Sequence, residues 1–279
     1  MSVVITGGDG QLGRELQKLY PKADVSDIEE LDITDAASVS AYDWSEVELL
    51  LNAAAFTNVD AAETDGYEAA WQVNAVGPAL LARAARDHDF TIVHVSTDYV
   101  FDGGKEDWSE NDKLNPLSVY GASKAAGDLA VMSIAPRHYI ARTSWVIGDG
   151  NNFVKTMLKL AESHQELTVV DDQIGRPTFT PTLASAIKHL VDTGSDFGLY
   201  NVSNGGKSIS WRQFAESIFE LRGLNIEVDG TSTANYFKDK PETATRPLHS
   251  TLNLGKIRAT GFTPVTWEDN LEEYLKEEE

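Results

Sequence analysis

None of the 279 residues is cysteine, which excludes a disulfide framework, a thiolate metal site and a cysteine nucleophile, and fits a reducing cytoplasm. Long apolar runs are missing too: no window approaches the roughly 18 consecutive apolar residues of a membrane span. The run Ser2–Thr6 has no basic flank and leads straight into glycines, so it reads as a buried first strand rather than a signal peptide. Histidine is sparse: His88, His94, His138, His164, His189 and His249 show no H-E-x-x-H spacing, and no metal site is expected. Positive charge is scarce, with 23 Lys and Arg against 44 Asp and Glu, a net charge of −21. A surface this negative repels nucleic-acid phosphates and anionic membranes, which removes both as partners. The acids are spread along the chain (Glu46, Glu48, Asp60, Glu63, Asp65, Asp107, Glu110 and Asp112 among them), a pattern suited to a salty cytoplasm that screens self-repulsion.

What is present is ordinary globular material, 42% hydrophobic and long enough for a sizeable core, without repeats or low-complexity linkers. Short apolar runs at Ser2–Thr6, Glu48–Asn52, Thr91–Ser96 and Tyr139–Arg142 read as buried strands. Helical patterns lie between them at Gln11–Leu19, Ala36–Tyr42, Tyr67–Asp87 and Ser118–Met132. This alternation predicts an α/β fold with a doubly wound parallel sheet of the Rossmann type. After Trp145 the pattern loosens: helices at Phe153–Glu162, Thr182–Val191 and Trp211–Leu221, strands at Leu167–Val170 and Leu199–Val202, and a Gly/Pro-marked loop over Asp171–Pro177. We read residues 1–147 as the nucleotide-binding domain and 148–279 as a smaller α/β substrate domain, with a segment of about 178–203 returning to the first.

The first strand runs into Gly7-Gly-Asp-Gly10-Gln-Leu-Gly13 and then a helix. In a G-x-x-G-x-x-G loop so placed, the first glycine permits a tight turn and the second lets backbone amides approach a pyrophosphate. The third allows close packing, and the helix N-terminus favours phosphate. Asp27 lies 20 positions after Gly7 (27 − 7), near the end of the second strand, where a carboxylate bonds the adenosine ribose and favours NADH over NADPH. Asp32, followed by Ile33, is a second candidate, placed for the adenine edge.

Tyr120 and Lys124 form Tyr-x-x-x-Lys, and on a helix positions i and i+4 share a face. Free tyrosine, with a pKa near 10, exchanges its proton poorly at neutral pH. A neighbouring cation is expected to lower that value and let Tyr120 donate a proton to a carbonyl as hydride arrives at carbon. Thr97, at the carboxyl end of the strand Thr91–Ser96 where ligands bind in such sheets, would complete a Thr/Tyr/Lys triad; the plainer alternative is a turn-stabilising hydroxyl.

Together these stretches closely resemble the dTDP-4-dehydrorhamnose reductase family of extended short-chain dehydrogenase/reductases. The carriers are Gly7 to Gly13, Asn52-Ala-Ala-Ala-Phe-Thr-Asn-Val-Asp60, Val95-Ser-Thr-Asp-Tyr-Val-Phe-Asp-Gly103, Tyr120-Gly-Ala-Ser-Lys124, Arg142-Thr-Ser-Trp145, Asp172-Gln-Ile-Gly-Arg-Pro-Thr178 and Arg246-Pro-Leu-His-Ser250. The resemblance implies NADPH- or NADH-dependent reduction of the C4 ketone of dTDP-4-dehydro-L-rhamnose to dTDP-L-rhamnose. It implies that Gly10, Gln11, Leu12, Asp32, Ile33, Ala54 and Ala55, with Ala53 beside them, line the cofactor. It places Thr97 and Tyr120 on the carbonyl, Lys124 by the nicotinamide ribose, and Asp98, Tyr99 and Trp145 around the sugar nucleotide. Trp145, at a strand end, suits packing on a sugar face or burial at a domain junction. Arg176 and Arg246 are candidates for the pyrophosphate, since guanidinium groups bind phosphate bidentately. A homodimer is an assembly that family members often adopt.

Two rival readings stay open. A nucleotide-sugar epimerase or dehydratase of the same superfamily shares most of these features, although Asp98 is followed by Tyr99 rather than by a second acid. A non-catalytic regulatory subunit of an S-adenosylmethionine-forming enzyme would keep the fold, but the intact Thr97/Tyr120/Lys124 set argues against it. The acid excess predicts that the thermal unfolding midpoint falls as salt is withdrawn. A midpoint unchanged at low salt would sink the halophilic reading.

Overall fold

Six parallel strands form the central sheet of the computed structural model, which describes residues 1–240 and 242–277. The elements run β1 (Val3–Thr6), α1 (Gln11–Leu19), β2 (Asp24–Ser26), α2 (Ala36–Ala41), β3 (Leu49–Asn52), α3 (Tyr67–Trp71), α4 (Gly77–Asp87), β4 (Thr91–Thr97), α5 (Val119–Ile134) and β5 (His138–Thr143). There follow β6 (Val146–Ile147), α6 (Phe153–Ala161), β7 (Glu166–Val170), β8 (Ile174–Gly175), β9 (Thr178–Phe179), α7 (Thr180–Asp192) and β10 (Gly198–Asn201). The chain closes with β11 (Ile209–Ser210), α8 (Trp211–Leu221), β12 (Glu227–Thr231), α9 (Thr233–Phe237), α10 (Gly255–Ala259) and α11 (Trp267–Glu277). The strand order is β10-β5-β4-β3-β1-β2, so the direction of winding reverses between β1 and β3. Ligands bind at the carboxyl ends of the strands beside such a reversal.

Alternation along the strands separates two cores. Val3, Ile5, Leu49, Leu51, Val93, Tyr139 and Ala141 pack with Leu12 and Leu16 of α1 and Leu183, Ile187 and Leu190 of α7. Val4, Leu50, Ile92 and Ile140 face the other way, onto α2, α4 and α5. Two residues beyond that second set, the same face ends in a buried polar row: Thr6, Asn52, His94 and Arg142. The apolar pattern therefore stops where the sheet approaches the ligand crevice. A third core, built on Val169, Phe179, Phe214, Ile218, Trp267 and Leu271, holds α6, α8 and α11 around the β7–β12 pair. Between these two parts α7 packs on α1, and β10 pairs in parallel with the outer edge of β5.

The helix expected over Tyr67–Asp87 is interrupted: α3 ends at Trp71, a π-helical turn spans Gln72–Val76, and α4 resumes at Gly77. Pro78 supplies the reason, because it has no amide to donate and its ring crowds the carbonyl four residues back. The widened turn releases Asn74, which is fully buried, to bond across the fold. Its side chain accepts from Phe56 N at 2.9 Å and donates to Phe56 O at 3.0 Å and Ser123 Oγ at 3.1 Å, fixing the loop after β3 against α5. Within Asp171–Pro177, read as loop, Ile174–Gly175 form a two-residue antiparallel bridge with β11.

Gly127 of α5 crosses the π turn so closely that a Cβ would strike the Asn74 carbonyl oxygen. Gly127→Ala is expected to destabilise the fold by about 1–3 kcal/mol, the usual scale for overpacking, seen as a lower urea midpoint. An unaltered midpoint would show that the two helices have room between them.

Candidate active site

The loop after β1 and the loop after β3 touch. Gly7 has φ +72°, and a Cβ there would sit 2.6 Å from Ala54 N, so only glycine closes this turn. Gly13 lies behind, packed on the carbonyl of Gly7, and is not exposed to ligand. Gly10 caps α1 without a side chain, leaving the amides of Gln11, Leu12 and Gly13 unclaimed by any cap. This cradle, with room for backbone approach and a helix N-terminus at its end, fits a dinucleotide pyrophosphate.

Two cavities flank the cradle and share Asp9, Gly10, Ala53 and Ala55 in their linings. One, of about 300 Å³, is lined by Gly7, Gly10, Asp27, Asp32, Ile33 and Ala53 to Ala55. Asp27 follows β2 and accepts from Glu29 N at 2.8 Å; Asp32 accepts from Thr34 N at 2.9 Å and Thr34 Oγ1 at 2.7 Å. Hydrogen bonds hold both carboxyls below the usual range, chiefly from Glu30 at Asp27 and from Thr34 at Asp32. No lysine or arginine is among the residues lining this cavity. The other, about 640 Å³, brings together Gly10, Gln11, Leu12, Ala53 and Ala55 with Thr97, Asp98, Tyr99, Tyr120, Lys124 and Trp145. Arg14 and Gln11 tie the segment 149–151 across its mouth, through Arg14 Nη2 to Asp149 O at 2.8 Å and Gln11 Nε2 to Asn151 O at 3.2 Å.

Tyr120 and Lys124 sit on consecutive turns of α5, whose start is fixed by the Ser118 side chain accepting from Gly121 N. Lys124 is only 2% exposed and donates to Val95 O at 2.6 Å. Burial lowers its pKa to about 8, against the pull of the Asp128 charge. Tyr120 does not behave as its spacing from a lysine predicts. Burial pushes its pKa up, Asp98 and Asp128 push the same way, and only the Thr97 hydroxyl opposes them. Desolvation of the phenolate outweighs that single hydroxyl, and the ammonium of Lys124 is engaged by the Val95 carbonyl. Tyr120 is accordingly a phenol, not a phenolate, near neutral pH.

Thr97, at the end of β4, donates to Asp98 Oδ1 at 3.0 Å and accepts from Tyr99 N at 3.2 Å. Asp98 is buried, and that burial raises its carboxyl to about 6. Tyr99 packs edge-on against Tyr120, with ring centroids 5.4 Å apart. Below lies the polar row of the sheet. Thr6 Oγ1 donates to Asn52 Oδ1 at 2.8 Å, so the Asn52 amide nitrogen faces His94 Nδ1 at 3.1 Å and donates to it. That assigns the His94 proton to Nε2, which faces Asp128 Oδ1 at 3.8 Å. Burial keeps His94 neutral, so this contact is not an ion pair. The ion pair is Asp128 with Arg142, 2.9 Å from Oδ2 to Nε and almost wholly buried.

Trp145 takes φ +47°, a strained backbone for a bulky residue and of a kind that collects at functional sites. Its indole stacks on Trp211 at 3.6 Å, and both rings line the larger cavity. Sequence reasoning missed Trp211, which lies 66 positions away (211 − 145) and carries no local signal beyond starting a capped helix. Trp211 also borders an aromatic cavity of about 280 Å³ with Tyr99, Phe153, Gln173, Tyr236, Phe237 and Arg246. Arg246 therefore reaches the site, although its guanidinium is shared with Asp60 at 2.8 Å and lies over the Phe237 ring. Arg176 is not brought to it. Its Nη1 donates to Ser203 Oγ at 3.1 Å and Leu252 O at 3.3 Å, and it is not among the residues lining these cavities, where a pyrophosphate contact was expected of it.

Comparison with known proteins places this geometry. The model of the RmlD substrate binding domain family matches residues 1–279. A dTDP-4-dehydrorhamnose reductase of Aggregatibacter actinomycetemcomitans is 42% identical, covering 95% of each chain. A spore coat polysaccharide biosynthesis protein of Bacillus subtilis is 39% identical, over 99% of this chain and 97% of its own. Among solved structures, a dTDP-4-dehydrorhamnose reductase from Clostridium acetobutylicum superposes with a TM-score of 0.92 at 40% identity, covering 99% of both chains. One from Bacillus anthracis, in complex with NADP, gives 0.90 at 36% identity, covering 99% of this chain and 100% of its own.

Removing the Asp128 charge leaves two buried cations without their partner. Asp128→Asn is expected to cost about 3–5 kcal/mol of stability, the scale for breaking a buried pair on one side. Chemical denaturation measures it, and a loss under 1 kcal/mol would mean that Arg142 is neutralised elsewhere.

Proposed function

The chain belongs to the dTDP-4-dehydrorhamnose reductase family, and from that membership and the cleft we propose that it reduces the C4 ketone of dTDP-4-dehydro-L-rhamnose to dTDP-L-rhamnose at the expense of NADPH or NADH. The observation that carries the reading is the meeting of Thr97, Tyr120 and Lys124 in one cavity with the glycine cradle. Gly7, Gly10, Gln11, Leu12, Asp27, Asp32, Ile33 and Ala53 to Ala55 would hold the cofactor, which supplies the hydride when bound. Asp27, in a cavity lined by no lysine or arginine, favours a free ribose hydroxyl over a 2′-phosphate, tilting the choice toward NADH.

Tyr120 is protonated at neutral pH, the form a reduction requires, and gives that proton to the C4 oxygen. The phenolate so formed lies in a dry site, where the Lys124 charge stabilises it. Thr97 is the second hydroxyl for the same oxygen. Trp145 and Trp211 offer an apolar wall for the sugar, while Asp98 and Tyr99 border the same space. The aromatic cavity beyond Trp211 suits a nucleobase, and Arg246 at its edge suits the diphosphate. We assign cofactor binding to residues 1–147 and most sugar-nucleotide contacts to 148–279. A homodimer in the cytoplasm is part of the same proposal.

The test is NADH and NADPH oxidation at high salt with enzymatically prepared dTDP-4-dehydrorhamnose. Tyr120→Phe should lower turnover by about 10² to 10⁴-fold, the range for losing a general acid. A variant rate close to that of the parent would refute the role of Tyr120, and no turnover by the parent would refute the substrate.

A further inference from the structure

A threonine hydroxyl has one proton to give. In this site the Thr97 proton is directed at Asp98 Oδ1, 3.0 Å away, while the Tyr99 amide occupies one of the Thr97 lone pairs. An ionised Asp98 can only accept, so it holds the Thr97 proton and leaves none for a ketone oxygen. A protonated Asp98 reverses the bond.

Resting on the reductase reading above, we propose that Asp98 is a positioning residue acting as a neutral acid: it donates to Thr97 Oγ1 and thereby frees the Thr97 proton for the substrate C4 oxygen. Its surroundings suit that state. Asp98 is 3% exposed, and burial is the largest influence on it, raising the carboxyl to about 6. The hydroxyls of Ser250 and Thr97 and the amides of Asp98 and Tyr99 pull the other way. The ionisable groups around it are Tyr99 beside it in the chain, Tyr120 and Lys124 of α5 in the same cavity, Asp128 beneath them, and the Arg246–Asp60 pair beyond Tyr99. An anionic sugar nucleotide in the cleft excludes water and adds negative charge, and both effects raise the carboxyl further. The sign follows: the freed Thr97 proton is available below the Asp98 pKa and withdrawn as pH rises through it.

The experiment is kcat/KM for the sugar nucleotide against pH in the parent, Asp98→Asn and Thr97→Val. The parent should lose roughly 10²-fold above a limb at or somewhat above pH 6, the scale for one donor at a developing oxyanion. Asp98→Asn should abolish the limb and remain faster than Thr97→Val, because a carboxamide donates at every pH. Thr97→Val should be slow and equally flat, which keeps the test alive if Asp98→Asn fails to fold. A limb near pH 6, below the Lys124 titration, retained in either variant overturns the proposal. So does a parent without a limb, or a folded Asp98→Asn as slow as Thr97→Val at all pH values. If the parent does not turn over the sugar nucleotide, the reductase reading fails and infrared titration of the substrate-free protein decides the proposal. A carboxylic-acid band near pH 6 that Asp98→Asn removes supports it; Asp98 ionised throughout overturns it.

Discussion

The constraint that shapes this molecule is a lysine ammonium held out of water. Taking such a charge into the interior costs several kcal/mol after relaxation, and the fold answers from three directions. The Val95 carbonyl accepts from Lys124, Asp128 stands one turn further along α5, and His94 is kept uncharged next to them. Arg142 then satisfies the other face of Asp128, and the Thr6–Asn52–His94 chain fixes which His94 nitrogen carries the proton. β1, β3 and β5 each supply one member and β4 and α5 two, so the register of the sheet and the electrostatics of the cleft are a single arrangement. Desolvation in the same place pushes the Tyr120 pKa up.

The −21 net charge looks at odds with an anionic substrate. Locally the balance differs. Lys124, Arg14 and Arg246 border the cavities, and α1 turns its N-terminus toward the glycine cradle. Arg246 is neutralised by Asp60, and an entering diphosphate would compete with that carboxylate for the guanidinium. The aromatic walls of Trp145, Trp211 and Phe237 carry no charge, so their fit to a sugar and base would not depend on the charge of the surface.

The parts legible in the sequence were those with a period or a fixed spacing. The central strands, α1 and α8 were read closely because alternation or amphipathic spacing marks them. Gly7, Gly10, Thr97, Tyr120, Lys124 and Trp145 line the cavities described, while Gly13 packs behind them. The two-residue strands β6, β8, β9 and β11 are too short for any period, and α11 hides its buried Trp267, Leu271 and Leu275 among acids. Arg176 was misread because composition says nothing of direction: the side chain turned to Ser203 and Leu252 instead of the cleft. The direction of the Tyr120 shift was misread for a similar reason, since a four-residue spacing records a neighbour but not how strongly the surroundings penalise a phenolate.

The last strand of the sheet comes late. β5 is complete at Thr143, yet its outer edge finds a partner only in Gly198–Asn201, and the apolar face over α1 is closed by Leu183, Ile187 and Leu190 of α7. A ribosome therefore releases some sixty residues between exposing that edge and covering it (201 − 143). During this interval the nascent chain carries an unpaired parallel edge and an open apolar face, the two features that invite pairing with the wrong chain. The late return of α7 and β10 thus leaves the first core open until well after the central strands of the site have been made.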